Sequence, residues 1–306
     1  MEIKTVSIIG LGALGILFGH QLSKHMSKDN LRIVADRDRI ARYRRDRVYS
    51  NDEICDFNYI TPDEKSGFTD LIIFSVKFNG LPGAIKAVKN QIGPETIIIS
   101  LLNGIGSEEI IGSVYGYDKV LYSVAQGMDA VKVGNKLSYQ NMGEICFGDL
   151  QPKSSLSERI ETTKNFFEKI KLPYEVDMNM RKRLWGKFML NVGVNQAVAV
   201  FECDYGGILK DGLARDTMIS AMREVINLSE PENVYLDEAD LEYWLRILEG
   251  LNPLGKPSMR QDLEANRKSE VELFAGTVLG LAKKHGLPCP TNQMLYDRIK
   301  ERESLF

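Results

Sequence analysis

Short apolar runs alternate with longer amphipathic stretches over the first half of the chain. TVSII (5–9), LRIVAD (31–36), DLIIFSV (70–76), ETIIISLL (95–102) and KVLYSV (119–124) are rich in Ile and Val and too short for helices, which predicts buried strands. Helical stretches, from Ala13 to about His25 and over 81–92, lie between some of them. GEICFGD (143–149) predicts a later strand, followed by a helix around 155–170 and a short strand near PYEVD. Strands alternating with helices predict a parallel, doubly wound α/β sheet. From about Arg181 helical periodicities follow one another over 181–201, 213–229, 237–250 and 258–300, the last with a break, and no strand is evident. The chain is therefore expected to divide into an α/β domain over 1–178 and an all-helical domain over 179–306.

Composition narrows the function classes. The net charge is −3, and the richest basic stretch, Arg37 to Arg47, is diluted by Asp36, Asp38 and Asp46, so no nucleic-acid partner is expected. No apolar run reaches the ~18 residues that span a membrane. The N-terminus runs straight into MEIKTVSIIG, and Cys55, Cys146, Cys203 and Cys289 form no CxxC pair, which leads us to expect free thiols in the reducing cytoplasm. Three histidines and scattered cysteines give no metal-ligand spacing, so no metal is expected.

Gly10, Gly12 and Gly15 fit G-x-G-x-x-G, with Leu11, Ala13 and Leu14 between them. The motif lies between a predicted strand and a predicted helix, the context a Rossmann-type dinucleotide site requires. Gly10 permits the tight turn, Gly12 lets backbone approach a pyrophosphate, and Gly15 lets helix and strand pack closely. The helix N-terminus then offers its unsatisfied N–H groups to the phosphates. Asp36, at the end of the second predicted strand, is placed to bind the ribose hydroxyls of NAD. Arg37 follows it, and an Arg there neutralises the 2′-phosphate of NADP. The two signals conflict. Arg39 reads better as a solvated loop charge.

RLWGKFMLNVGVNQAVAVF (183–201) is apolar on almost every side. Its interior polar side chains are Lys187, Asn191, Asn195 and Gln196. The first three are spaced by four, which turns a helix by about 400° and so aligns them in one stripe. Burying such groups without partners costs several kcal/mol, so the stripe is expected to face a polar cleft. The alternative is a set of satisfied core amides and a snorkelling lysine. Reduction of a ketone develops negative charge on oxygen and needs a proton donor. Lys187 suits that role, with desolvation by Trp185 and Phe188 expected to lower its pKa. His20, His25 and His285 are not placed for it. Farther on, Ser269 with Glu272 fits the S-x-x-E capping box. Glu270 is then expected in the first turn, where a carboxylate is favoured by the helix dipole and a functional role is equally open. Ser258 reads either as a cap or as a ligand-binding hydroxyl.

Taken together, these segments resemble the ketopantoate reductases. The likeness begins at IIGLGALG and continues through SVKF around Lys77, LLNGIG around Asn103, LWGKFMLNVGVN, PSMRQD, KSEVE and GLPCPTNQMLYDRIKERES. It spans almost the whole chain, with the motifs in order. The resemblance implies reduction of 2-dehydropantoate to pantoate by NADPH, a step toward pantothenate. It implies Lys187 as general acid, with Glu270 beside it in the catalytic machinery. Asn191, Asn195, Ser258 and Glu270 would bind the carboxylate and hydroxyl groups of the substrate, and Asn103 would lie between substrate and nicotinamide. Arg37 and Lys77 would contact the phosphates or ribose of the cofactor. Three departures stand out. Asp36 adds a carboxylate beside the phosphate-binding Arg and leaves NAD open. Gly80 stands where relatives often carry a longer polar side chain, and Pro257 where they often carry Ser. The rival readings are a reductase of another small 2-keto acid in the 6-phosphogluconate-dehydrogenase-like group and an NAD(P)-binding sensor without chemistry. The oligomeric state is not legible, and a homodimer is compatible with the sequence.

Overall fold

The computed structural model describes residues 1–150 and 155–306, which form two compact units, Met1–Met180 and Arg181–Phe306. The strands of the first unit are β1 (Val6–Ile9), β2 (Leu31–Val34), β3 (Tyr49–Ser50), β4 (Glu53–Ile54), β5 (Asn58–Ile60), β6 (Leu71–Phe74), β7 (Ile97–Ser100), β8 (Val120–Gln126), β9 (Val131–Val133), β10 (Lys136–Ser138), β11 (Glu144–Gly148) and β12 (Tyr174–Val176). Its helices are α1 (Ala13–Ser23), α2 (Arg37–Asp46), α3 (Leu81–Val88), α4 (Ser107–Tyr115) and α5 (Glu158–Lys169).

Eight strands form one sheet in the order β12-β11-β8-β7-β6-β1-β2-β5. All neighbours run parallel except β11 and β8, so the sheet is the parallel, doubly wound one expected, with one antiparallel pair. Parallel strands covered on both faces are apolar at every position. Val6, Ile8, Leu71, Ile73, Ile97 and Ile99 pack on one side with Ile16 and Leu17 of α1 and Phe166 of α5. Ile9, Ile72, Phe74 and Ile98 pack on the other with Leu81 and Ile85 of α3 and Ile111 of α4. A second sheet, ordered β4-β3-β10-β9, was not anticipated. Neither was α2, whose Arg-rich sequence buries only Ile40 and Tyr43.

Among the described residues the second unit is helical: α6 (Met180–Phe201), α7 (Tyr205–Ile208), α8 (Leu213–Ser229), α9 (Glu238–Glu249), α10 (Ser258–Glu264), α11 (Thr277–His285) and α12 (Pro290–Glu303). A π-helical turn, Glu272–Gly276, leads into α11. Two glycines set the packing of α6. A Cβ on Gly186 would lie 2.1 Å from Trp244 Nε1, and one on Gly193 would lie 2.5 Å from Met222 Cγ. These close approaches lie on the side of α6 opposite Lys187, Asn191 and Asn195, by roughly 150° at about 100° per residue.

A buried polar network fixes the same helix. The Gln196 amide donates to Asn292 Oδ1 at 3.0 Å, and the Asn292 amide donates to Glu224 Oε2 at 2.7 Å. Glu224 also accepts from the backbone N–H groups of Thr291 and Asn292, at 2.7 and 2.9 Å, which places its charge on the first turn of α12. Asn292→Ala strips Gln196 and Glu224 of a buried partner at once. It should destabilise the protein by about 2–3 kcal/mol in urea unfolding. A loss below about 0.5 kcal/mol would mean the network contributes nothing to stability.

Candidate active site

The turn between β1 and α1 shows which of its glycines the fold itself requires. Gly10 has φ +101°, and a Cβ there would lie 2.8 Å from the Ser75 carbonyl oxygen. A Cβ on Gly15 would lie 2.0 Å from the Gly10 carbonyl oxygen. Gly12 differs. Its φ is −71°, and a Cβ would meet only the Ser75 carbonyl oxygen, at an ordinary 3.4 Å. Nothing in the fold demands glycine there, whereas backbone exposed for close approach by a phosphate does. Leu11 is buried, and Ala13 and Leu14 open the helix and are half-buried. Ser75, which the sequence reading missed, donates from its hydroxyl to the Gly10 carbonyl at 2.7 Å and ties the turn to β6.

Asp36 is the N-cap of α2. Its Oδ1 accepts from the Arg39 backbone N–H at 2.7 Å, and its Oδ2 lies 3.3 Å from Arg39 Nε. Arg39 is thus a helical residue paired to the cap, not the loop charge its sequence suggested. Arg37 opens the helix, is exposed, and makes no hydrogen bond or ion pair among the described residues. Lys77 is exposed at the start of a 3-10 turn, Phe78–Gly80. Gly80 has an ordinary φ of −86° and room for a side chain, the nearest atom to a Cβ being Val76 Cβ at 3.6 Å.

Asn103 lies between β7 and α4, half-buried, beside Gly104 at φ +93°. A buried hydroxyl chain also lies between β7 and α4. Ser123 donates to the Ser100 carbonyl at 2.7 Å, the Ser100 and Ser107 hydroxyls lie 2.8 Å apart, and Ser107 donates to Glu108 Oε2 at 2.7 Å. Burial raises the Glu108 carboxyl to about 7. This group leaves no mark in the residue pattern, because its partners come from three separate segments.

In the second unit, Lys187 and Asn191 are half-buried on an otherwise buried stretch of α6, and Asn195 is 6% exposed. The Asn195 amide donates to Asn191 Oδ1 at 3.3 Å, so the two asparagines act as one polar unit. Ser258 is the first residue of α10 and exposed, and its hydroxyl makes no hydrogen bond among the described residues, which sets aside the cap reading. Pro257 is the N-cap, with the extended backbone that proline favours.

The capping box at Ser269 does not form. Its hydroxyl donates to Glu303 Oε1 at 2.6 Å, and Glu272 instead accepts from Tyr296 Oη at 2.8 Å and Lys300 at 3.1 Å. Glu270 stands just before the helix, which begins at Val271, and not in its first turn.

The histidines are engaged elsewhere. His20 is buried against Cys55 Sγ at 3.3 Å and Glu53 Oε2 at 2.9 Å, and burial lowers its pKa. The cysteines prove less scattered than their spacing implied. Sheet register brings Cys146 beside Glu144 and Glu175, with ligand atoms all within 4.8 Å of one another, and the thiol donates to Glu175 Oε2 at 3.5 Å. No helix among the described residues is long and apolar enough to cross a membrane.

Two family models match the chain. Ketopantoate reductase PanE/ApbA matches residues 6–152, and Ketopantoate reductase PanE/ApbA C terminal matches residues 179–303. The chain belongs to the ketopantoate reductase family. It is accordingly an NAD(P)-dependent oxidoreductase of that type. It is 27% identical over 305 residues to a 2-dehydropantoate 2-reductase of Aquifex aeolicus, covering 97% of this chain and 96% of that one. Its fold is similar to that of a PanE/ApbA family ketopantoate reductase from Ralstonia eutropha, at 22% identity, with a TM-score of 0.82 and 98% of each chain covered. It is also similar to D-mandelate dehydrogenase solved with NADH and anilino(oxo)acetate, at 19% identity, with a TM-score of 0.86 and 98% of each chain covered.

The glycines of this family member separate by experiment. Gly12→Ala should leave thermal stability within about 1 kcal/mol of the parent, because its Cβ meets only an ordinary contact. The same variant should weaken dinucleotide binding at least tenfold in a fluorescence titration. Unchanged affinity would show that position 12 is not approached by the ligand.

Proposed function

We propose that the protein reduces 2-dehydropantoate to pantoate with NADPH. The observation that carries this reading is the Lys187, Asn191 and Asn195 stripe on the one polar face of an otherwise buried helix. The first unit is then the dinucleotide-binding domain and the second the substrate domain.

The residues present fit the cofactor. Gly12 offers backbone where the fold asks for no glycine. Arg37 is uncommitted, while both oxygens of Asp36 are engaged by Arg39. That engagement competes with the ribose hydroxyls for Asp36 and partly offsets its repulsion of a 2′-phosphate, which favours a modest preference for NADPH over NADH. Lys77 serves the phosphates or ribose, and Asn103 the nicotinamide.

When bound, the reduced nicotinamide supplies a hydride to the ketone carbon. Lys187 protonates the developing alkoxide, which gathers charge in the transition state. Asn191, Asn195 and Ser258 offer amide and hydroxyl donors to the substrate's carboxylate. Glu270, which when ionised only accepts hydrogen bonds, takes the substrate's hydroxyl and holds the ketone toward Lys187. Steady-state rates with ketopantoate and a panel of aliphatic and aryl 2-keto acids test the substrate. Ketopantoate should give the highest kcat/KM. A higher value for another keto acid would overturn the substrate and keep the reaction type.

Arg37→Ala should raise the KM for NADPH roughly tenfold, the scale of losing a charged hydrogen bond, with little effect on NADH. Equal losses for both cofactors would remove the 2′-phosphate contact.

Lys187→Ala should cut kcat by about 10²–10⁴, the usual contribution of a general acid. The KM for NADPH should barely move, and the pH profile of reduction should lose the limb that reports the ammonium. Lys187→Arg should restore little, because a guanidinium holds its proton too firmly. A structural lysine would instead give fewer folded molecules that turn over normally. Near-parental kcat on folded, active-site-titrated Lys187→Ala would end the assignment.

A further inference from the structure

We infer that Glu303, on the last turn of α12, is a positioning residue for Glu270, an inference that rests on the substrate role proposed for Glu270 above.

Glu303 is 6% exposed, and a carboxylate so buried needs compensating donors. Lys300 Nζ lies 3.7 Å from Oε2, and the two hydrogen bonds come from one residue 34 positions away. Oε1 accepts from the Ser269 backbone N–H at 2.7 Å and from the Ser269 hydroxyl at 2.6 Å. Both lengths are those of charge-assisted bonds. Ser269 immediately precedes Glu270, so its N–H and side chain are clamped one residue before the functional carboxylate. The Ser269 hydroxyl also accepts from the Val271 backbone N–H at 3.3 Å, which ties down the residue on the other side.

The backbone of Glu270 is held as well. Its carbonyl accepts from the Leu273 and Phe274 N–H groups, at 2.9 and 3.2 Å. The next residues form the π-helical turn Glu272–Gly276, a rare geometry that concentrates at functional sites. Tyr296 and Lys300 of α12 hold Glu272 from the same helix that carries Glu303. Residues on both sides of Glu270 are thus fixed to α12, which sets the direction in which its Cα–Cβ bond points. An error of about 1 Å in such a direction is enough to degrade binding severely.

The test is a double-mutant cycle on the full-length protein, reading the KM for ketopantoate and for NADPH. Glu270→Ala should raise the ketopantoate KM roughly ten- to hundredfold. Glu303→Ala should raise it roughly five- to tenfold and leave the NADPH KM unchanged. On the Glu270→Ala background, Glu303→Ala should add less than about twofold, because it acts only through Glu270. Glu303→Gln should stay within about twofold of the parent, since an amide oxygen still accepts both Ser269 donors. Ser269→Ala removes one arm of the clamp without emptying the carboxylate site, and should give a rise of about two- to fourfold. Multiplicative losses in the double variant, or a parental ketopantoate KM in both Glu303→Ala and Ser269→Ala, would overturn the positioning role alone. A parental KM in Glu270→Ala would withdraw the substrate role of Glu270 and the positioning role with it.

Discussion

A helix buried on nearly every side must find partners for most of the polar groups it carries, and α6 carries four polar side chains in its interior. Each unsatisfied amide would cost several kcal/mol, so the second unit is arranged around them. The Gln196 NH2 group is answered by the Val192 carbonyl and by Asn292, while its Oε1 has no partner among the described residues; Asn292 is answered by Glu224, which in turn takes the first N–H groups of α12. Asn195 is answered by Asn191. Gly186 and Gly193 admit Trp244 and Met222 on the reverse side and so prevent the helix from turning. What remains is one direction in which Lys187 and Asn191 stay half-exposed. The polar stripe follows from a rotation that packing and buried hydrogen bonds have already chosen.

The first unit shows the converse logic. Gly10 and Gly15 are dictated by sterics inside the protein, so their presence says only that the chain makes this turn. Gly12 is different, because alanine would fit. Its place in the G-x-G-x-x-G motif, not the packing, is what supports the proposed phosphate contact there. The same distinction separates Arg39 from Arg37. Arg39 is consumed by Asp36, whereas Arg37 has no role inside the fold.

Elements with a long or strongly apolar pattern are legible from the sequence: the core strands β1, β2, β6, β7 and β8, and the helices of the second unit other than the four-residue α7. Their patterns repeat over enough residues to outweigh local noise. The two-residue strands β3 and β4 carry no period at all, and α2 is masked because only Ile40 and Tyr43 of its ten residues are buried. The antiparallel run of β11 depends on its neighbour β8, not on its own composition. At the site, the stripe was readable because its spacing of four is local. Ser75, Ser100 and Glu303 were not, since each acts on a residue far away in sequence. The misread capping box at Ser269 has the same origin. A local S-x-x-E match competes with a buried carboxylate delivered by tertiary structure, and the buried carboxylate wins because it must be satisfied.

Charge placement ties these observations together. The proposed reaction brings an anionic keto acid to an anionic dinucleotide, so stray carboxylates near either would raise the cost of binding. The carboxylates beside the functional residues are largely spent within the fold. Asp36 caps α2 and pairs with Arg39, Glu224 caps α12, Glu272 is held by Tyr296 and Lys300, and Glu303 is enclosed by Ser269. Their negative charge is met by N–H groups, hydroxyls and cations before a ligand arrives. Against that background a carboxylate assigned to the substrate must recognise a group that donates. In the proposed binding mode that requirement matches Glu270 to a hydroxyl and the substrate's carboxylate to Asn191, Asn195 and Ser258. On the proposed assignment, a hydroxylated keto acid fits these charges better than a simple one.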